Sequence, residues 1–90
     1  YMISENAFNA LGYEYLGENR IDEAVAVFEM NARAFPESSN PWDSLGEGYA
    51  ARGEIDRAIT AYKKSVELDP SNTNGVVQLE RLEASKQDGS

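Results

Sequence analysis

Residues 5–38 of this chain slide onto residues 39–72 without a gap, a period of 34 residues. Eight aligned positions are identical, namely Asn6/Asn40, Leu11/Leu45, Gly12/Gly46, Tyr15/Tyr49, Ile21/Ile55, Asp22/Asp56, Ala24/Ala58 and Pro36/Pro70. Average composition gives roughly two such matches. Phe8/Trp42, Val25/Ile59 and Phe28/Tyr62 are close in kind. Such a chain builds one supersecondary unit repeatedly and stacks the copies, because a single unit cannot bury its own apolar face.

The matched residues fall at helical spacing. Phe8, Leu11, Gly12 and Tyr15 share one face, as do Trp42, Leu45, Gly46 and Tyr49. After a short break, Ile21, Ala24, Val25 and Phe28 form a second stripe, which Ile55, Ala58, Ile59 and Tyr62 repeat. Each unit therefore reads as two facing amphipathic helices. The spacing predicts helices over about 5–18, 21–35, 40–52, 55–69 and 73–86, with a frayed end at Gln87–Ser90. Asn40 before Pro41 reads as an N-cap, with Asn6 and Asn74 at equivalent places. Asn19 and Gly53 fall where a left-handed residue ends the first helix of each unit, and Pro36 and Pro70 stop the second. Gly12 and Gly46 lie inside helices, at a cost of about 1 kcal/mol against alanine. Close helix approach offsets that cost, with Ala24 and Ala58 expected opposite.

These residues resemble the tetratricopeptide repeat family, whose pattern runs Trp, Leu, Gly, Tyr, then Ala, Phe, Ala, then Pro. Residues 39–72 carry Trp42, Leu45, Gly46, Tyr49, Ala58, Tyr62 and Pro70, with Ser65 at the late alanine. Residues 5–38 carry Phe8, Leu11, Gly12, Tyr15, Ala24, Phe28 and Pro36, with Asn31 at that place. Together the two units cover 68 of 90 residues. A third copy starts at Asn74, Val76 and Leu79, but Glu80 and Glu83 replace its glycine and tyrosine. Residues 73–86 thus read as a polar terminal helix, with Val76, Val77, Leu79 and Leu82 packing on the second repeat. The expected fold is an all-α solenoid, a superhelix of two antiparallel helix-turn-helix repeats plus a fifth, terminal helix, in one domain over 1–90 (repeat 1 5–38, repeat 2 39–72, capping helix 73–86).

The resemblance implies a protein–protein interaction module, not an enzyme, that holds a peptide or partner helix on a concave face lined by the first helix of each pair. Carried over singly, the inward positions are Asn9, Tyr13 and Leu16, then Asp43, Glu47 and Ala50, then Val77 and Arg81, with Gly17 and Ala51 beside them. Asn6, Asn40 and Asn74 also fall there but double as caps. Asn9 offers hydrogen bonds to a peptide backbone, and Tyr13 an amphipathic contact. Asp43 and Glu47 are an acidic pair at i, i+4, which favours a neutral or basic partner over an acidic one. One branch of the family grips a C-terminal carboxylate with lysines. Asn9 and Asp43 stand where a basic residue could, so no such clamp is expected, and a peptide ending in several acidic residues should bind weakly.

Composition narrows the field further. The chain has no cysteine and no histidine, so a disulfide, a Cys/His zinc site, a Ser-His-Asp triad and a Cys-His pair are excluded within it. No cofactor or metal is implied: two carboxylates such as Asp43 and Glu47, without more oxygen ligands, make a weak cation site. Gly46-Glu47-Gly48 sits mid-helix at a repeat position, and Lys63-Lys64 reads as surface charge on an outer helix. Trp42 could serve a ligand, but its repeat position assigns it to the core. Net charge is −8 and is spread along the chain, so neither nucleic acid nor an anionic membrane suits it. The acid reads as a solubilising surface or as adaptation to a high-salt cytoplasm. No apolar run exceeds five residues, so a spanning helix and a signal-peptide core are not expected, and the expected location is the cytoplasm. The chain opens with Tyr1 rather than Met and reads as a piece of, or trimmed from, a longer protein, Tyr1-Met2-Ile3 being either a loose end or a contact to other sequence. Two other roles fit the same residues: the C-terminal assembly or regulatory tail of a bacterial enzyme such as a serine hydrolase, and self-association, as a homodimer through the open N-terminal edge.

Overall fold

The computed structural model describes residues 3–88, so the expectations for Tyr1, Met2, Gly89 and Ser90 lie outside the described residues. Five helices follow in order: α1 (Glu5–Gly17), α2 (Ile21–Ala34), α3 (Ser39–Ala51), α4 (Ile55–Leu68) and α5 (Thr73–Asp88). They match the expected spans to within two residues, and α5 continues through Asp88 where a frayed end was expected.

The helix starts repeat, but not at the expected residues. Ser4 is the cap of α1, its Oγ accepting from the Ala7 N–H at 3.1 Å. Ser38 holds the cap position of α3, and Asn72 Oδ1 accepts from the Gly75 N–H at 3.1 Å at the start of α5. Ser4, Ser38 and Asn72 are themselves one repeat apart. Asn6, Asn40 and Asn74 therefore lie two residues inside their helices and are not caps. Pro41 sits buried in the first turn of α3, where a missing N–H costs no intrahelical bond. The turns inside each unit are as expected. Asn19 (φ 63°) and Gly53 (φ 85°) are left-handed. In each case the next N–H returns to a carbonyl of the last helical turn, Arg20 to Tyr15 and Glu54 to Tyr49, both at 2.9 Å.

The hairpins α1/α2 and α3/α4 stack through α2 against α3, and α5 packs on α4. The result is a slab of 46 × 29 × 17 Å. Its core is Ala24, Val25, Phe28, Ala32, Leu45 and Ala61, flanked by Tyr15, Leu16, Ile21, Trp42 and Tyr49. The glycines do mark close approach, but the neighbour is not the expected alanine. A Cβ on Gly12 would lie 2.2 Å from Phe28 Cε1, and one on Gly46 2.7 Å from the Tyr62 ring. Each unit is keyed by an aromatic ring laid on a bare helix backbone. Phe28 also meets Gly48 of the next unit, where a Cβ would sit 3.1 Å from Cδ2, so this ring joins three helices. Complete burial of such a ring is worth roughly 1.5–3 kcal/mol.

The late-alanine positions differ between units. Ser65 Oγ donates to the Ser39 carbonyl and Ser39 Oγ to the Ser65 carbonyl, both at 3.0 Å, closing the second hairpin. In the first, the fully buried Asn31 donates to the Glu5 carbonyl at 3.2 Å, and its Oδ1 has no partner. On α5, Val76, Leu79 and Leu82 are half-buried, whereas Val77 is 44% exposed and does not pack as expected.

Candidate functional site

The anticipated inner-face residues lie on the first helix of each unit, α1 and α3, and on α5. Four of them take part in polar contacts that link these helices. Tyr13 Oη donates to Glu47 Oε1 at 2.9 Å, linking α1 to α3. Asn9 Oδ1 accepts from Ser44 Oγ one turn earlier. Asp43 accepts from Asn74 Nδ2 at 3.3 Å, and Asn72 Nδ2 stands at 3.4 Å from the same carboxylate, linking α3 to α5. A ladder of polar bonds thus runs across α1, α3 and α5. Ser44 and Asn72 complete it, although neither matches an inward position of the family pattern. For Asn72 the signal lies in the repeat itself, since it occupies the cap position shared with Ser4 and Ser38; Ser44, aligned with Ala10, carries none.

The other anticipated residues are less engaged. Leu16 is half-buried and packs against the core, and Ala50 is half-buried. Val77 and Arg81 are exposed on α5, along the stripe that Asn74 begins.

Electrostatically the centre of this face is negative. The Tyr13 hydroxyl is pushed up to about 12, first by burial and then by Glu47 and Asp43, against a lowering contribution from Ser44. Tyr62, whose ring covers Gly46, is also pushed up by burial, Asp43 and Glu47. Three donor groups, the Tyr13 hydroxyl and the Asn72 and Asn74 amides, surround these two carboxylates without adding positive charge. Among the described residues no group of three or more Asp, Glu, His or Cys could hold a metal ion.

The outer side is different. Trp42 and Tyr49, with Leu45 between them, floor a groove between α2 and α4 that opens into two cavities of about 350 and 360 Å³. Trp42 Nε1 donates to the Pro36 carbonyl at 3.0 Å, and Tyr49 Oη donates to Glu29 Oε2. Burial and Glu29 push Tyr49 upward. Trp42 is thus tied into the packing between units, as its repeat position implies. Lys63 and Lys64 lie within 3.9 and 3.8 Å of Glu83 and Glu67, so their charge is locally matched.

Residues 39–72 match one family model described as tetratricopeptide repeat, and residues 5–29 match a second with the same description, together well over half of the chain. The chain belongs to the tetratricopeptide repeat family. No curated protein matches it in sequence. Its fold is similar to the solved structure of the type III secretion translocator chaperone SycD from Yersinia enterocolitica, with a TM-score of 0.83 at 20% identity. That match takes in 98% of this tetratricopeptide repeat chain but 61% of the SycD chain, so the present sequence spans less than two thirds of that protein. Membership of the family makes this a protein–protein interaction module. None of the helices among the described residues is long and apolar enough to cross a membrane.

Proposed function

We propose that this tetratricopeptide repeat domain acts by binding, holding a neutral or basic peptide or partner helix along the inner face of α1, α3 and α5. The observation that carries this reading is the Asp43–Glu47 pair at the centre of that face, held by neutral donors alone. Tyr13 stands beside the pair and is 38% exposed, and Val77 offers an apolar contact on α5 (44% exposed). A lysine or arginine side chain arriving there replaces an amide or phenol donor with a charged one, a stronger hydrogen bond to a carboxylate.

A peptide array followed by titration tests it. Peptides with spaced lysines and arginines should bind, and binding should weaken with added salt. The double change Asp43→Asn, Glu47→Gln should remove most of that binding while leaving the helical circular dichroism unchanged. Equal binding of peptides ending in several acidic residues, or unaltered affinity in the double variant, overturns the assignment.

A further inference from the structure

We infer that the exposed side of the first repeat docks a second copy of this chain, the two α2 helices running antiparallel about a two-fold axis. Internal repetition isolates the surface. In the second repeat, Thr60 and Ala61 line one cavity with Trp42, Leu45 and Tyr49. Shifted by one repeat, those positions are Ala26 and Val27. One turn farther on, Lys64 is matched by Met30, which is 47% exposed. Positions that carry a hydroxyl and an ammonium in the second unit thus carry a methyl and a thioether in the first.

The pattern on α2 specifies the occupant. Glu23, Ala26, Met30 and Arg33 are all exposed and follow a three-four-three spacing, which makes them one stripe. Laid antiparallel on a copy of itself, this stripe sets Ala26 against Met30 of the partner subunit and Glu23 against Arg33 of the partner subunit. Small meets large and acid meets base, each twice, as a two-fold contact requires. Glu23 reaches Arg20 through Oε2 alone, leaving Oε1 for the second guanidinium. The surface is the outer side of α2, separate from the peptide-binding face proposed above, and does not depend on that reading.

Sedimentation equilibrium of the chain, from low micromolar to near millimolar concentration, tests the proposal. The mass should rise from one chain to two. Met30→Lys, which copies Lys64, should move the midpoint at least about tenfold to higher concentration. Helical circular dichroism should not change, because Met30 is on the surface. Arg33→Glu and Glu23→Arg should each weaken association, and mixing the two variants should restore it, since every cross-pair is then acid against base. A constant mass of one chain overturns the dimer. A dimer indifferent to Met30→Lys overturns the surface, and a mixture no stronger than either variant alone overturns the antiparallel pairing.

Discussion

Tyr13 and Glu47 occupy the same place in consecutive repeats, and the hydroxyl of one donates to the carboxylate of the other at 2.9 Å across α1 and α3. A position that faces a ligand in the family's pattern therefore also joins neighbouring units. On the proposed binding face, a partner that competes for Glu47 would therefore also act on the α1–α3 contact.

Burial of the phenols, reinforced by nearby carboxylates, gives a pH signature. In the unfolded chain a tyrosine loses its proton near pH 10, whereas in the fold Tyr13 holds it to about 12 and Tyr62 and Tyr49 are shifted the same way. Above about pH 10 the unfolded state binds fewer protons than the folded one, so stability is complete below that pH and is lost as pH rises toward 12. Urea unfolding followed at about pH 8 and about pH 11 checks this. Tyr13→Phe should make the decline shallower without abolishing it, because Tyr62 remains.

The ring-on-glycine contacts predict opposite outcomes for chemically identical changes. Gly12→Ala drives a Cβ into the Phe28 ring, and Gly46→Ala does the same at Tyr62. Each should cost about 1–3 kcal/mol through forced displacement of the ring. Gly17 has no atom within 4 Å of the added methyl, so Gly17→Ala should instead stabilise, by about 0.4–1 kcal/mol. Thermal and urea unfolding of the three variants measure the contrast.

Leu11 and Leu45 form a matched pair for testing how much a neighbouring unit contributes. Leu45→Ala should cost about 2–5 kcal/mol, the usual range for a leucine in a packed core. At the equivalent site Leu11 is 39% exposed, and Leu11→Ala should cost less than half as much. Equal losses would show that repeat position, rather than burial under α2, sets the contribution.

Asn31 is held by one hydrogen bond, to the Glu5 carbonyl. Asn31→Asp would replace that donor with a buried acceptor, and should cost several kcal/mol at neutral pH. The carboxyl should resist ionisation there. The difference from the unmodified chain should therefore shrink as pH falls toward about 4 and the side chain becomes neutral. Parallel urea titrations at the two pH values decide it.

Much of this architecture is legible in the residues alone, for a physical reason. Repetition filters out chance matches, so Leu11/Leu45, Gly12/Gly46 and Pro36/Pro70 place helices and turns to within two residues. What escapes is contact specificity. Ala24 and Ala58 are as buried as expected, but helical spacing does not say which side chain on α2 or α4 reaches the glycine, and Phe28 and Tyr62 do. Asn40-Pro41 has the chemistry of a helix start, yet the chain enters the helix at Ser38, because a proline is tolerated anywhere in the first turn. Asn9, Tyr13, Asp43 and Glu47 are singled out by the family's pattern alone. The Tyr13–Glu47 bond is not legible in the sequence, since residues a full repeat apart meet only after the hairpins stack.

The aromatic keys at Gly12 and Gly46 each lie within a single hairpin. A gene segment encoding one hairpin can therefore be duplicated or deleted with its own lock intact. An insertion of one or two codons inside a helix would rotate ring away from glycine and break it. The evolutionary grain of this protein is the whole unit, and its length should drift in steps of that size.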